Sequence, residues 1–368
     1  MGAAPTNNIQ KELAPLIIEG LKSSPKFFPS LLLWDDKGLA IYERIMRSKD
    51  YYLTQTEAEL IRLNADNIAE TIPDGSVILE LGSGCLSKTF IILNTLAQKR
   101  KHVVYYALDV CPSALAASLA QLRSALKHTP YVTCRSLCMT YQDGISWLAN
   151  EPSLSGTPVS VLWLGSSFAN EPQDDFRQLL HGISAAQMVQ APTSSRRVAG
   201  WQLLVAADGT KDPETVSRAY DTRDGLSKEF TLNVLDNANR SLGWDVFDMN
   251  QWCFDGEWDA QKGQFQTCIR ALKDQTARVG KEQVLIKKGE KIKVIASRKL
   301  GQKDVQGWLV GTGFTISSSW THPEFAYSLY RFSLLEEKAR VQQAGWERLS
   351  RGQLGRLVRS YFRRVFDL

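Results

Sequence analysis

The sequence lacks the features that mark secreted, membrane-spanning and zinc-binding proteins. No stretch approaches the roughly 20 consecutive apolar residues that cross a bilayer, and the N-terminus lacks the basic start and apolar core of a signal peptide. The six cysteines show no C-x-x-C spacing, and no histidine lies at a ligand spacing from the nearest pair, Cys134 and Cys138. These absences predict a reduced, cytoplasmic protein with free thiols, no membrane partner and no metal site.

The sequence also lacks a large excess of charge of either sign, because it has 44 lysines and arginines and 39 aspartates and glutamates. The resulting net charge of +5 is too small to indicate a nucleic-acid partner on its own. Hydrophobic residues make up 43% of the chain and charged residues 23%, which is ordinary for a globular protein with a core. At 368 residues, the chain is long enough for two domains or for one core with a large insertion.

Short apolar runs alternate with helical stretches in the middle of the chain. Strands are predicted at residues 76–81, 102–108, 131–137, 159–164 and 201–207. Helices are predicted between them at residues 86–99, 113–128 and 173–190, with a surface loop at 192–197. This alternation is typical of an α/β fold with a parallel sheet that is covered on both faces.

The segments on either side break this alternation. Residues 12–62 are predicted to be mostly helical, and residues 208–297 form a block of a different kind. The elements predicted in that block are helices at 208–221 and 230–243 and strands at 264–273 and 283–297. The block is therefore predicted to be an insertion or a second domain. A helix and a final strand pair follow, with period-two alternation at 327–334, and the basic tail at 336–368 is predicted to be helical.

A short glycine turn, Gly82-Ser83-Gly84, joins the first predicted strand to the next helix. A phosphate-binding loop would need the pattern GxxxxGK[ST], and a dinucleotide site would need a third glycine where this chain has Ser87. S-adenosylmethionine has no phosphate and needs only a close approach of the backbone, with a carboxylate such as Glu80 beside its ammonium group. The turn is therefore predicted to bind S-adenosylmethionine.

A second carboxylate, Asp109, ends the next predicted strand, 25 residues after Gly84. There it can accept hydrogen bonds from both ribose hydroxyls. A third loop, at 139–144, follows the next strand and would border the adenine. All three loops lie at the carboxyl ends of parallel strands, where open α/β sheets bind ligands. The alternative is a plain strand–helix turn in which Asp109 only caps a helix. The predicted cofactor residues are Glu80, Gly82, Ser83, Gly84, Lys88, Asp109, Tyr141 and Gln142.

A series of seven motifs, more specific together than any one alone, connects the chain to a known family. The motifs are YYLTQTEAEL (51–60), LELGSGCLSKT (79–89), YYALDV (105–110), LGSSFAN (164–170), ADGTKDPETVSRAYD (207–221), FTLNVLDNANRSLG (230–243) and IASRKL (295–300). From about residue 30 to residue 334, the chain resembles the histidine Nα-methyltransferases of ergothioneine biosynthesis and their fungal relatives that act on tryptophan-type amino acids, such as dimethylallyltryptophan N-methyltransferases.

The resemblance implies an α/β protein with a Rossmann-type, S-adenosylmethionine-dependent methyltransferase core and a separate α+β substrate domain. The core would comprise residues 65–207 and 298–335, and the substrate domain residues 12–64 and 208–297. The resemblance also implies that Asn170 and Tyr220 hold a substrate carboxylate. Tyr51 would lie beside the reacting amine, with Ser167 near it, and these two are the predicted catalytic residues.

The departures from the histidine-specific members are informative. Ile295 stands where those members have a glutamate that pairs with the imidazole, two residues before Ser297. Trp34 stands in place of a tyrosine and Thr267 in place of a methionine that lines the ring pocket. An apolar isoleucine leaves a buried imidazole N–H unpaired, at a cost of about 1–3 kcal/mol, so a larger apolar ring is favoured. A one-residue shift of the pocket strand, or another polar side chain in the glutamate's role, is the alternative.

The predicted function is Nα-methylation of a tryptophan-type aromatic amino acid, including a prenylated form such as 4-dimethylallyl-L-tryptophan. L-Histidine and another small amine are the alternative small-molecule substrates. A nucleic-acid- or protein-directed methyltransferase that uses the basic tail is a third alternative, although the chain has no [DN]PP[YF] motif. A non-catalytic protein that kept the fold is a fourth. The oligomeric state and the number of methyl groups transferred are open.

Overall fold

The computed structural model describes residues 6–170, 172–190, 200–279 and 282–335. Its strands are β1 (Ser76–Leu81), β2 (Val103–Asp109), β3 (Val132–Cys138), β4 (Val159–Trp163), β5 (Gln202–Asp208), β6 (Trp252–Asp259), β7 (Gln264–Ala271), β8 (Gln275–Val279), β9 (Glu282–Ile286), β10 (Lys291–Arg298), β11 (Phe314–Thr321) and β12 (Tyr327–Leu334). The predicted loop at 192–197 and the predicted helical tail at 336–368 lie outside the described residues.

Helices cover both faces of the main sheet and build much of the remaining chain. They are α1 (Thr6–Lys22), α2 (Asp36–Arg47), α3 (Tyr52–Leu63), α4 (Ala65–Thr71), α5 (Ser87–Gln98), α6 (Pro112–Ala125), α7 (Tyr141–Asn150), α8 (Gln173–Gln190), α9 (Pro213–Tyr220), α10 (Leu226–Leu242) and α11 (Gln302–Leu309). Among the helices of the described ranges, none combines the length and the apolar character that a membrane span requires.

Seven strands form the central sheet in the order β11-β12-β5-β4-β1-β2-β3. Strands β1 to β5 are parallel to their neighbours in this group, and β12 runs antiparallel to both β5 and β11. The predicted parallel strands, the α/β class and the final strand pair are confirmed. Because parallel strands need crossover connections, the intervening helices pack against the two faces of the sheet.

The apolar strands have two buried faces because alternate side chains enter two different cores. On β1, Ile78 packs with helices α3 to α6, whereas Val77 and Leu79 pack on the opposite side with α7, α8 and α11. All six residues of β1 are buried, which explains why the strand reads as a continuous apolar run rather than as an alternating one. Because β1 to β5 are parallel, their carboxyl ends lie at the same edge of the sheet.

The block between β5 and α11 forms a second structural unit. Its three-stranded antiparallel sheet has the order β10-β7-β6, and β8 and β9 form a hairpin. Helices α1 and α10 pack with these strands in a third core, in which Leu21, Val234 and Ile269 are fully buried. The predicted helices at 208–221 and 230–243 are confirmed as α9 and α10, with shifted ends.

Two local predictions were wrong, and two strands were missed. The predicted strand at 283–297 is two strands, β9 and β10, because Gly289 takes a left-handed conformation with φ of 82° in the turn between them. Strands β6 and β8 were not predicted. The predicted loop at 139–144 is mostly the first turn of α7, where the Thr140 hydroxyl accepts a hydrogen bond from the Asp143 amide and caps the helix.

The chain passes from the core into the second unit, and later returns to the core, next to a buried ion pair. Asp208 ends β5, and Lys299 follows β10, with 2.7 Å between the Lys299 Nζ and Asp208 Oδ2 atoms. Both side chains are at most 1% exposed. Tyr52 of α3 also donates a hydrogen bond to Asp208. The pair therefore connects three segments that are distant in sequence.

A second buried carboxylate, Glu57, fixes α3 to the core. It accepts hydrogen bonds from Lys88 Nζ at 2.5 Å, from the Gly165 amide at 2.8 Å and from the Tyr327 hydroxyl at 3.0 Å. Burial alone would lower the pKa of Lys88, but the Glu57 carboxylate outweighs burial and raises it. Glu57 thereby joins α5, the end of β4 and β12 to the N-terminal helices.

Replacing Glu57→Gln should lower the free energy of unfolding by about 3–5 kcal/mol, because the buried Lys88 ammonium loses its counter-charge. The double variant Glu57→Gln/Lys88→Met should recover most of that loss. Glu59→Gln, on the same helix but 58% exposed, is the control and should change stability by less than about 1 kcal/mol. Urea unfolding measures all three, and equal losses for Glu57→Gln and Glu59→Gln would contradict this account.

Candidate active site

A cavity of about 440 Å³ lies at the carboxyl ends of β1, β2 and β4, under α2 and the start of α3. Its size suits a small-molecule ligand. The structure brings most of the predicted site residues together here. Those that line the cavity are Trp34, Tyr51, Glu80, Gly82, Ser83, Gly84, Lys88, Tyr141, Gln142 and Ser167. The remaining predicted residues, Asp109, Asn170, Tyr220, Thr267, Ile295 and Ser297, are outside this lining.

The glycine turn after β1 has the shape that the predicted cofactor needs. Gly82 and Gly84 have φ of 66° and 44°, in the left-handed region that favours glycine. A Cβ atom on Gly82 would lie 2.4 Å from the Tyr141 hydroxyl oxygen, so a side chain there would collide with the cavity wall. The Ser83 hydroxyl is buried in the lining without a hydrogen-bond partner among the described residues. An unpaired buried hydroxyl beside an exposed backbone turn fits a polar ligand such as S-adenosylmethionine.

Asp109 forms hydrogen bonds with the loop after β1 and with the loop after β2. Its Oδ2 atom accepts a hydrogen bond from the Gly84 amide at 3.0 Å, and its Oδ1 atom accepts one from the Val110 amide at 2.8 Å. The next residue, Val110, lines the cavity, whereas Asp109 lies just outside the lining. The predicted contact of Asp109 with the ribose stays a prediction, and its hydrogen bond to Gly84 couples the first two loops of the site.

Glu80, near the end of β1, is buried and lines the cavity. Its carboxylate accepts hydrogen bonds from the Thr89 hydroxyl at 2.7 Å and from the Tyr105 hydroxyl at 2.5 Å. Burial raises the pKa of Glu80 to about 7, against the effect of these two hydroxyls and of Lys88. Burial thus favours the neutral, protonated form of Glu80 at the base of the cavity.

Aromatic rings form the other end of the cavity. Trp34 packs edge-to-face on Tyr42 and on Phe230, with ring centroids 5.2 and 5.4 Å apart. The hydroxyls of Tyr42 and Tyr51 share a hydrogen bond of 3.0 Å. Burial raises the pKa of Tyr51, so its phenol keeps its proton at neutral pH. A flat apolar ligand group would find extensive contact area beside these rings.

The predicted substrate residues outside the lining still form one connected group behind Tyr51. Tyr220 contacts Tyr51 edge-to-face and stacks on Phe265 of β7, with ring centroids 6.1 and 5.3 Å apart. Ser297 pairs with Phe265 across the sheet. In the same strand pair, Ile295 lies opposite Thr267.

Asn170 joins this group through the backbone, because its carbonyl accepts a hydrogen bond from Arg298 at 3.1 Å. Arg298 is the residue after Ser297, so the hydrogen bond holds the short helix at Phe168–Asn170 against the end of β10. The loop after β4 and the second unit therefore meet next to Tyr220.

Several residues that organise this site were not predicted from the sequence. Glu57 had a readable signal, because it occupies the buried stripe of α3 together with Leu53, Leu60 and Ile61. Asp208 and Lys299 had no comparable signal, since only the fold brings them together. Tyr42 and Asp175, which also line the cavity, lie on helices whose pattern does not distinguish them from ordinary surface positions.

Comparison with known proteins assigns the family. A family model described as histidine-specific methyltransferase, S-adenosylmethionine-dependent, matches residues 12–334. The chain belongs to this methyltransferase family. Its relatives include N-methyltransferases, and the protein is an S-adenosylmethionine-dependent N-methyltransferase with the predicted Rossmann-type core.

Three relatives illustrate the range of this family. N-methyltransferase imqF of Aspergillus flavus is 36% identical over 311 residues, which cover 84% of this chain and 82% of the relative. 4-Dimethylallyltryptophan N-methyltransferase easF of Aspergillus fumigatus is 27% identical over 331 residues, covering 89% and 95%. Ergothioneine biosynthesis protein 1 of Neurospora crassa is 33% identical over 303 residues, which cover 82% of this chain and 32% of that longer protein.

The variant Gly82→Ala should raise the dissociation constant for S-adenosylhomocysteine at least about tenfold, because the new methyl group collides with the Tyr141 hydroxyl. Gly75→Ala is the matched control: its φ of 73° carries a similar backbone cost, but no atom lies within 4 Å of the added Cβ. Calorimetric titration of both variants measures the difference. Equal losses of affinity would mean that the clash is irrelevant to cofactor binding.

The raised pKa of Glu80 makes stability depend on pH. A carboxyl group whose pKa is raised on folding stabilises fully below its unfolded value of 4.5, and this contribution is lost as the pH rises to about 7. Relative to Glu80→Gln, the wild type should therefore lose about 3 kcal/mol of unfolding free energy between about pH 4.5 and about pH 8. Urea unfolding at both pH values tests this, and a constant difference would show that Glu80 is not perturbed.

Proposed function

We propose that this methyltransferase methylates the α-amino group of a tryptophan-type aromatic amino acid, with 4-dimethylallyl-L-tryptophan as the prenylated candidate. The observation that carries the proposal is the apolar character of the ring end of the site. Trp34 lines the aromatic end of the cavity, and Ile295, which lies outside the lining opposite Thr267, packs against the same core as Trp34. The resemblance implies that Ile295 takes the place of the glutamate of the histidine-specific members. An indole ring needs apolar contact more than a charged partner.

Ser167 is suited to orient the reacting amine. Its hydroxyl donates a hydrogen bond to the Leu164 carbonyl at 3.2 Å and accepts one from the Trp163 indole N–H at 3.0 Å. One acceptor position of the hydroxyl is left, and it can take an N–H of the substrate amine. A fixed N–H direction also fixes the direction of the nitrogen lone pair, which is what an in-line transfer requires.

Tyr51 is suited to hold the amine without acting as a base. Its phenol stays protonated, and its hydroxyl is paired with Tyr42. When bound, S-adenosylmethionine supplies an electrophilic methyl group, which needs an uncharged nitrogen as acceptor. The amine therefore binds in its neutral form or loses its proton to solvent, and no strong general base is assigned.

The cofactor would be held by Gly82, Ser83 and Gly84, with Tyr141 and Gln142 at the adenine and Glu80 at the ammonium end. The substrate carboxylate would be held by Asn170 and Tyr220, which are neutral groups. In this proposal, residues 12–64 and 208–297 form the substrate domain, and residues 65–207 and 298–335 form the core. The cytoplasmic location and the absence of a nucleic-acid partner stay predictions.

L-Histidine is the second candidate, and one observation favours it. Glu43 of α2 lines the cavity next to Tyr42 in the sequence, with its half-exposed carboxylate 3.7 Å from Arg47. It could pair with an imidazole N–H in place of the glutamate missing at position 295. The similarity to ergothioneine biosynthesis protein 1 is compatible with this candidate.

The direct test is methylation of L-tryptophan, 4-dimethylallyl-L-tryptophan and L-histidine, with mass detection of the product. The proposal expects kcat/KM for at least one indole substrate to exceed that for L-histidine by about tenfold or more, because of the unpaired imidazole N–H. A preference for L-histidine would overturn the assignment of the ring and favour the role of Glu43.

The variant Ile295→Glu should move kcat/KM toward L-histidine over L-tryptophan by about tenfold or more, because it restores a carboxylate at the ring. Ile295→Gln is the matched control, with the same length but no charge, and should move the ratio less. Competition assays with both amino acids measure the change. An unchanged ratio in Ile295→Glu would mean that another residue contacts the ring.

A further inference from the structure

The hydroxyl of Tyr220 contacts a buried cation, the ammonium group of Lys299. Lys299 Nζ donates a hydrogen bond to this hydroxyl oxygen at 2.8 Å. An ammonium group has three donors and no acceptor, so the phenol can only accept at this contact. The single proton of Tyr220 must therefore point away from Lys299.

The position of Tyr220 limits where that proton can go. Phe265 stacks on the ring of Tyr220, and Tyr51, which lines the cavity, contacts the ring edge-to-face. The side chain of Tyr220 is half-buried, whereas Lys299 is only 1% exposed. Lys299 thus occupies the interior side of the hydroxyl, and the proton is left for a group on the ligand side.

We propose that Lys299 is a positioning residue that directs the Tyr220 phenol proton toward the substrate carboxylate. This inference rests on the proposed function, in which Tyr220 binds that carboxylate. A phenol that accepts from a cation is also a stronger donor, because hydrogen bonds in a chain polarise one another. Tyr220 therefore binds the carboxylate more tightly than an unassisted phenol would.

Asp208 keeps Lys299 in the required geometry. Its Oδ2 atom lies 2.7 Å from Lys299 Nζ, and its Oδ1 atom accepts a hydrogen bond from the Thr210 amide at 2.9 Å. Tyr52 donates a further hydrogen bond to Asp208. Because the ion pair is neutral as a whole, Lys299 orients Tyr220 without acting as a free cation that could bind the carboxylate itself.

The test separates binding of the carboxylate from binding of the ring. Lys299→Met alone leaves Asp208 as an unpaired buried charge, so the double variant Asp208→Asn/Lys299→Met is used as a neutral background. Tyr220→Phe is introduced into the wild type and into this background. Calorimetry then measures binding of L-tryptophan and of tryptamine, which lacks the carboxylate, to each protein saturated with S-adenosylhomocysteine.

In the wild type, Tyr220→Phe should weaken L-tryptophan binding about ten- to hundredfold and leave tryptamine binding within about twofold. The double variant should lose much of the same L-tryptophan affinity. Adding Tyr220→Phe to it should then cost less than about threefold, because the undirected phenol contributes little. Affinity for S-adenosylhomocysteine within about threefold of wild type shows that the fold is intact.

Two outcomes would overturn the positioning role: equal losses from Tyr220→Phe in both backgrounds, or a double variant that loses tryptamine binding as much as L-tryptophan binding. A protein that methylates L-histidine and not L-tryptophan would contradict the proposed ring preference alone. The same variants would then be compared with L-histidine and histamine. Failure of the wild type to bind either amino acid would contradict both proposals.

Discussion

A buried ion pair between Asp208 and Lys299 anchors the side of the site that is proposed to receive the substrate. Asp208 ends the last parallel strand of the central sheet, and Lys299 begins the return of the chain after the second unit. Such a pair contributes little net stability, but losing one partner costs about 3–5 kcal/mol, so both must be in place. Through Tyr52 and Tyr220, the pair also fixes α3 and the end of α9, and with them one wall of the site.

The ion pair of Glu57 and Lys88 anchors the cofactor side of the site in the same way. Both pairs lie at the carboxyl edge of the sheet, where strand ends expose polar backbone groups that the fold must satisfy. Glu57 pairs with the Gly165 amide, and Asp208 receives a hydrogen bond from the Thr210 amide. The Glu57–Lys88 pair lines the cavity together with the aromatic ring of Trp34, whereas the Asp208–Lys299 pair lies outside the lining, behind Tyr220. The aromatic end of the cavity suits an aromatic substrate.

Much of the core could be predicted from the sequence because its strands are buried on both faces and read as apolar runs. The cofactor turn was also readable, since Gly82 and Gly84 mark left-handed backbone after such a run. Strand β6 was missed although Trp252, Phe254 and Trp258 recur at even spacing, because Gly256 interrupts the pattern. The partnership of Asp208 with Lys299 could not be predicted, because it depends on where a long insertion returns to the core.

The most direct measurement is a crystal structure of the protein with S-adenosylhomocysteine and L-tryptophan bound. We expect the substrate carboxylate to accept a hydrogen bond from the Tyr220 hydroxyl, with Lys299 on the far side of that oxygen. We also expect the indole to lie between Trp34 and Ile295, with the amine beside Ser167. A carboxylate bound by a lysine or arginine elsewhere, or an indole directed away from Ile295, would contradict it.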